Sequence, residues 1–321
     1  MAASESQLIE RYFRELGARR RDIVLGIGDD AALLRVPGDC ELVLTTDALV
    51  EGVHFLPGAP ARSVGHRALA VNLSDIAAMG ATPSWALLSL NLPLADEAWV
   101  AEFAAGFGAL ARTHEVALVG GNLSRGALSI TLELAGMVPA GQALRRDGAR
   151  AGDEIFLSGH VGDAACGLKL LRGELSTDPA EAAYLQRRFE YPTPRVALGA
   201  ALRGIASACI DVSDGVYVDA TRLLAACGCG ARVEIERLPV SAPLQRALGA
   251  QYWREALCGG EDYELCFTAP PVQAGAVAAV AARTGQAVTR IGVLTDGSGL
   301  TLTAAGSVMQ FSPSGFDHFA D

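Results

Sequence analysis

Val71-Asn72-Leu73-Ser74-Asp75-Ile76-Ala77-Ala78-Met79-Gly80 is the stretch on which the reading of this chain turns. From Ser63 to Met79 the apolar spacing predicts a helix, Gly80 supplies its stop, and Pro83 follows soon after. Asn72 and Asp75 are three apart and share a face of that helix with Met79. A carboxylate within so apolar a helix is costly without a partner, so Asp75 reads as a functional residue.

The elements around this helix alternate between strand and helix. Glu41 to Thr46 reads as a strand ending in Asp47, and Ser84 to Leu92 as a strand closed by Pro93. Asp96 then caps a helix whose Trp99, Phe103, Phe107 and Leu110 form a core stripe. Val116 to Val119 is a short strand running into Gly120-Gly121, and Leu128 to Val138 is a longer one. Upstream, Leu8, Ile9, Tyr12, Phe13 and Leu16 share one face of a docking helix. The polar, basic segment Leu144 to Gly152 marks a boundary, which divides the chain into domains 1–145 and 146–321.

Beyond that boundary the rhythm restarts. A strand from Glu154 to Leu157 precedes a helix from Asp163 to Leu171, and Pro192 and Pro194 break the chain before a helix from Arg195. Ser207 to Ile210 is a strand that delivers Asp211 to a turn, and Val216 to Ala226 is a helix. Tyr263 to Thr268, a helix near Val272 to Arg283, and Val288 to Leu294 complete the second unit. The alternation lacks the strict monotony of a doubly wound sheet, so the fold class is α+β or mixed α/β.

Composition supports two compact domains: 321 residues, half of them apolar, with few aromatics and 36 glycines. A net charge of −10 argues against nucleic-acid binding, which relies on basic patches. It is compatible with a small anionic substrate, because a bound cation would reverse the local field. The seven cysteines are odd in number and lack a CxxC pair, which reads as reduced, mostly buried thiols; Cys227-Gly-Cys229 is a weak zinc signal. The opening residues carry no signal-peptide pattern, and no apolar run spans a membrane. A soluble, cytoplasmic protein with no membrane partner is the expectation.

Five acidic or amide-bearing segments recur among small residues. They are Gly26-Ile27-Gly28-Asp29-Asp30-Ala31-Ala32, Thr45-Thr46-Asp47, Asn72-Leu73-Ser74-Asp75, Gly120-Gly121-Asn122 and Asp211-Val212-Ser213-Asp214-Gly215. Carboxylates that converge repel, at roughly 4 kcal/mol for two charges ~4 Å apart in an effective dielectric near 20. A cluster of them calls for hard cations, Mg²⁺ above all, whose remaining positions usually take phosphate oxygens. Singly, several of these residues have a plainer reading: Asp29-Asp30 and Asp47 as turn residues and Asp214 as a helix cap, as do His54 as structural and Gly259 to Glu264 as a solvated acidic turn, while Asp75 is harder to explain in that way. Together, five independent plain readings are hard to sustain. No P-loop, kinase catalytic loop, dinucleotide fingerprint or Gly-x-Ser-x-Gly elbow is present, so a covalent mechanism has no local support.

In order and spacing these segments resemble the thiamine-monophosphate kinases, within the ATP-binding superfamily typified by aminoimidazole ribonucleotide synthetase. The similarity runs from about Leu8 to Phe319 and includes Gly52-Val53-His54-Phe55, Arg146-Asp-Gly-Ala149, Gly259-Gly-Glu-Asp-Tyr-Glu-Leu265 and Gly315-Phe-Asp-His-Phe319. The resemblance implies transfer of the ATP γ-phosphoryl group to thiamine phosphate. It also implies a two-domain synthetase-like fold, a homodimer whose N-terminal domains join sheets, and active sites between N- and C-terminal domains. Carried over by position, Asp30, Asp47, Asp75, Asp211 and Asp214 hold Mg²⁺, helped by Thr45, Thr46 and Asn122. Asp75, Asp211 and Asp214 are the catalytic set. Gly121, Asn122, Arg146 and Ser213 contact ATP, while His54, Glu261 and Phe316 line the thiamine phosphate pocket.

Two departures stand out. Asn122 replaces an aspartate of many relatives, which predicts weaker metal affinity, and no aromatic stands near Ala104, where some relatives place a tyrosine against the nucleotide. Alternatives are another ATP-dependent synthetase of the superfamily and a non-catalytic nucleotide or metal sensor. A selenophosphate synthetase would need a reactive Cys with a Lys before Gly26, and that region offers Arg19, Arg20 and Arg21 but no Cys.

Overall fold

The computed structural model describes residues 3–311, which fall into two compact units: 3–76 with Ala81–Gly141, and Ala77–Gly80 with 142–311. The first opens with helix α1 (Glu5–Leu8). Its start is locked by Ser4, whose hydroxyl accepts from the Gln7 amide while the Gln7 side chain accepts from the Ser4 amide. A wider helical turn follows, and Leu8 and Phe13 are buried, as a docking segment requires.

Strands β1 (Ile23–Leu25) and β2 (Leu33–Leu34) form a small antiparallel ribbon. Then come β3 (Cys40–Val50), α2 (Ala61–Ala78), β4 (Thr82–Leu92), α3 (Glu97–Thr113), β5 (Ala117–Arg125) and β6 (Ser129–Pro139). The sheet order is β3-β6-β4-β5, antiparallel except for β4 and β5, which α3 joins as a parallel crossover. Asp96 caps α3 by accepting from the Ala98 and Trp99 amides. The expected aromatic stripe is core: Phe103 and Phe107 are fully buried, and Trp99, Phe103 and Phe107 stack in series.

Two expectations for this unit are corrected. Asp47 does not end its strand: β3 continues to Val50, because β6 offers pairing along the whole length, with Asp47 opposite Leu132. Gly120-Gly121-Asn122 is not a turn after a short strand but the middle of β5, pairing with Leu87, Leu88 and Ser89. The glycine at 121 is what permits this: its φ is 145°, and a Cβ there would lie 1.9 Å from the Leu88 carbonyl oxygen.

The second unit comprises β7 (Glu154–Ser158), α4 (Asp163–Leu171), α5 (Pro179–Glu190), α6 (Val196–Ala201), β8 (Ala208–Val212), α7 (Val216–Cys227), β9 (Gly230–Glu234), α8 (Ala242–Leu248), α9 (Tyr252–Cys258), β10 (Glu264–Ala269), α10 (Ala274–Thr284), β11 (Val288–Thr295), β12 (Gly299–Ala304) and β13 (Ser307–Val308). Its seven-stranded sheet runs β13-β12-β9-β11-β7-β10-β8, antiparallel throughout except between β12 and β9. Ile155, Leu157, Ile210, Leu223, Val233 and Ile291 belong to the core against this sheet. Asp211, expected in a turn, is the penultimate residue of β8, opposite Leu265 of β10.

All seven cysteines are free thiols. Burial pushes Cys166 up to about 11 and Cys266 up to about 12, which keeps both protonated. Among the described residues, no helix is long and apolar enough to cross a membrane.

Candidate active site

In the first unit, β3 presents alternate residues to opposite faces of the sheet. Thr45, Asp47 and Leu49 lie on the side covered by α2, while Leu44, Thr46 and Ala48 lie on the exposed side. Thr45 Oγ1 donates to Asp75 Oδ2 at 2.5 Å, so strand and helix bring together two members of the expected metal set. Thr46 points away from that pair. Asn72, one turn before Asp75, is fully buried; its amide donates to the Ala68 carbonyl at 3.1 Å.

Asn122 is not brought to Thr45, Asp47 and Asp75 within this unit. It shares a row with Ser89, Thr131 and Ala48, three strand spacings from β3, or roughly 14 Å. Asp30 is exposed in the β1–β2 connection, where Asp29 accepts its amide at 2.8 Å. The turn-forming role thus falls to Asp29. His54 lies just past β3 and accepts the Val50 amide at Nδ1, 3.1 Å away, which places the ring proton on Nε2. Ala104 is buried in α3.

The second unit assembles its expected residues more tightly. After Asp211, the turn Ser213-Asp214-Gly215 leads into α7, and the segment Gly259 to Tyr263 lies directly against it. The Glu261 amide donates to the Ser213 carbonyl at 2.7 Å, and the Tyr263 amide to the Val212 carbonyl at 2.9 Å. A Cβ on Gly260 would stand 2.4 Å from the Ser213 oxygen, so the approach requires glycine. Arg146 lies in a segment alongside β8, where the Cys209 amide donates to the Arg145 carbonyl at 3.0 Å. Phe316 lies outside the described residues.

Gly259 to Glu264 is not the solvated turn its charge suggests. Asp262 is 1% and Glu264 0% exposed. Asp262 accepts the Gly162 amide at 2.5 Å and the Ala164 amide at 3.1 Å, at the start of α4. Burial pushes its carboxyl well up, against the pull of those amides and of Arg188. Glu264 is gripped by Arg195, by Arg188 at 3.0 Å and by the Ser158 hydroxyl at 2.6 Å. Guanidinium groups from distant segments thus make the acidic loop tolerable inside the fold.

Asp219 and Arg222 escaped the sequence reading. Asp219, 1% exposed on α7, accepts the Asp214 amide at 2.9 Å. Arg222 reaches Asp214 at 2.5 Å and Asp219 at 2.8 Å. Burial raises Asp219 to about 6, outweighing the Asp214 amide and Arg222; Arg222, partly desolvated itself, is held charged by both carboxylates. The signal was available: Asp219 is a carboxylate in an apolar helix, the same argument that singled out Asp75.

Among the described residues, no three His, Cys, Asp or Glu side chains form a ready-made metal cage. The donor chemistry nonetheless fits Mg²⁺, which takes one or two carboxylates and fills its shell with water and phosphate oxygens. Thr45 with Asp75, and Asp211 with Asp214, are hard-oxygen sets of that kind. Such pairs, one between the middle of a strand and the last turns of a helix and the other at the end of β8 and the turn after it, suit charge neutralisation at phosphate.

A two-unit chain with this topology and these acidic segments is an AIR synthase-related protein. The AIR synthase related N-terminal domain matches residues 28–138, and the AIR synthase related C-terminal domain matches residues 150–305. Within that class the chain belongs to the thiamine-monophosphate kinase family. It is 46% identical over 323 residues to the thiamine-monophosphate kinase of Salmonella typhimurium LT2, covering 100% of this chain and 99% of the relative. It is 35% identical to that of Caulobacter vibrioides, covering 98% and 91%. The crystal structure of thiamine-monophosphate kinase from Stenotrophomonas maltophilia K279a superposes with a TM-score of 0.85 at 45% identity, over 91% of this chain and 93% of that one. AaThiL complexed with AMPPCP and TMP superposes with a TM-score of 0.79 at 35% identity, over 91% and 92%.

Proposed function

We propose that this protein transfers the γ-phosphoryl group of ATP to thiamine phosphate, yielding thiamine diphosphate and ADP. The observation that carries this reading is the docking of the Ser213-Asp214 turn on the Gly260-Glu261 loop. It sets carboxylates suited to metal-bound phosphate beside a carboxylate suited to the fixed positive charge of a thiazolium ring. The AaThiL complex with AMPPCP and TMP supports the same pair of substrates for this chain.

Asp75 with Thr45, and Asp211 with Asp214, would hold Mg²⁺, with Asp30 and Asp47 as further oxygen donors. Bound there, Mg²⁺ supplies neutralisation of the ATP phosphates and of the acceptor phosphate, which otherwise repel. The chain's own residues orient the substrates. The Thr45 hydroxyl fixes the rotamer of Asp75, and Asp219 fixes the backbone at Asp214. Gly121 and Asn122 on β5, and Arg146 and Ser213 beside β8, contact the nucleotide; His54, Glu261 and Phe316 receive the organic part of the acceptor. The acceptor phosphate is anionic at neutral pH, so a strong base is unnecessary and attack is direct and in line.

The protein works as a cytoplasmic homodimer. Leu42 and Leu44 of β3 and Leu87 of β4 are 44%, 69% and 40% exposed on the sheet face opposite α2. An apolar strip of that kind is suited to a second copy of the sheet. The N-terminal domain read from the sequence, residues 1–145, serves nucleotide, metal and dimer contacts, and the C-terminal domain, residues 146–321, supplies the remaining substrate contacts.

The test is turnover with ATP and either thiamine phosphate or free thiamine. Thiamine diphosphate and ADP should form in equal amounts from thiamine phosphate, while free thiamine, lacking the phosphate, is a poor acceptor. Efficient use of free thiamine, or retention of configuration at the transferred phosphorus, would overturn this reading.

A further inference from the structure

Glu261 and Tyr263 both have positive φ, 75° and 52°, within a three-residue span. Neither is glycine, and backbone of this kind persists only where its surroundings over-determine it. Here they do. The amides of Glu261 and Tyr263 are tied to the carbonyls of Ser213 and Val212. Between them, Asp262 turns inward and closes on the Gly162 and Ala164 amides. Immediately after them, Glu264 enters β10 and is held by Arg188 and Arg195. Asp262 therefore points one way into the fold, while residues 261 and 263 present their side chains together on the other.

The result of that geometry is a contact between the two side chains. Tyr263 is 8% exposed, and its hydroxyl donates to Glu261 Oε2 at 2.8 Å. A buried ring anchors the phenol, and the phenol fixes the plane and reach of a carboxylate on a half-buried loop. A glutamate has three side-chain torsions to restrain, and a single hydrogen bond from a rigid aromatic group removes much of that freedom before a ligand arrives.

We infer that Tyr263 is a positioning residue that sets specificity for a cationic acceptor ring by holding the Glu261 carboxylate in place. This rests on the assignment of Glu261 to the acceptor pocket. It makes the discrimination a property of the pair: Glu261 carries the charge, and Tyr263 decides where the charge stands. Asp262 and Glu264, which lie inside the fold, support the loop and do not meet the acceptor.

The test compares wild type, Tyr263→Phe and Glu261→Gln with ATP, using thiamine phosphate and an isosteric acceptor whose ring is uncharged. Tyr263→Phe should raise KM for thiamine phosphate by roughly three- to tenfold, the range for the net worth of one ordinary hydrogen bond. KM for ATP and KM for the uncharged acceptor should stay in place. Glu261→Gln should raise KM for thiamine phosphate further and abolish the preference between the two acceptors. If Glu261→Gln loses the preference while Tyr263→Phe retains it in full, the pocket stands and the positioning role is wrong. If neither variant alters it, the pocket assignment falls as well. Should Tyr263→Phe unfold, Glu261→Asp provides the second reading. It keeps the charge but withdraws it from the phenol, so an unchanged KM for thiamine phosphate in that variant would overturn the proposal.

Discussion

The hydroxyl of Thr45 donates to the carboxylate of Asp75 at 2.5 Å, joining the long edge strand of the first unit to its first long helix. This bond couples two residues 30 positions apart. It explains how a carboxylate is accommodated between the fully buried Leu73 and Ile76: half-buried, it is met by a hydroxyl from the strand beneath.

Thr45→Val should weaken folding by about 1 kcal/mol, the usual loss for a hydrogen bond to a partly buried group. It should also lower kcat, because Asp75 then samples several rotamers, whereas Thr45→Ser should restore both. Asp75→Asn should lower kcat by orders of magnitude with the fold intact. Urea unfolding alongside steady-state kinetics checks the set. Near-normal turnover of Asp75→Asn at saturating Mg²⁺ would rule out its part in metal binding.

Leu44→Arg places a charge on the exposed apolar strip of β3, opposite Ala135 of β6. It should convert a dimer into a monomer in sedimentation velocity while leaving the circular dichroism spectrum unchanged. A wild-type protein that already sediments as a monomer would contradict the role assigned to this face.

Stability should depend on pH through Asp219. Its carboxyl is raised from 3.8 to about 6, chiefly by burial. The folded form therefore holds its proton in a range where the unfolded chain has released it. Stability from this group is fully present below about pH 4 and declines as pH rises towards about 6. The rise corresponds to roughly 3 kcal/mol. Asp219→Asn should lack this component, so its stability relative to wild type should improve between pH 4 and 7. Parallel pH–stability curves for the two proteins would show that Asp219 is not the titrating group.

Arg195→Ala should be among the most damaging substitutions away from the expected substrate contacts. Glu264 is fully buried, and Arg195 grips both its oxygens. Removing that guanidinium leaves a buried carboxylate short of its principal partner, at a cost of about 3–5 kcal/mol. Chemical denaturation should register it. The double variant Arg195→Met/Glu264→Gln should recover part of the loss, because it removes the charge as well as its partner.

Helices α2, α3, α4 and α7 were legible from residue order because their signals are local. Apolar spacing, the Asp96 cap and glycine stops act within a turn or two of the chain. The acidic segments and their likeness to a known family were equally legible, since they are runs of a few residues. The short strands β9, β12 and β13 were not, because each owes its existence to partners far along the chain: β9 pairs with β11 on one side and β12 on the other. Site geometry was hidden for the same reason. Thr45 and Thr46 are adjacent and chemically alike, yet strand alternation turns one towards Asp75 and the other to the opposite face. Asn122 and Asp47 share a sheet but stand three strands apart. Gly259 to Glu264 looks like a solvated acidic loop until Arg188 and Arg195, 76 and 69 positions away from Glu264, arrive to neutralise it. Local chemistry decides which groups a segment carries, but burial and pairing depend on neighbours that only the folded chain brings near.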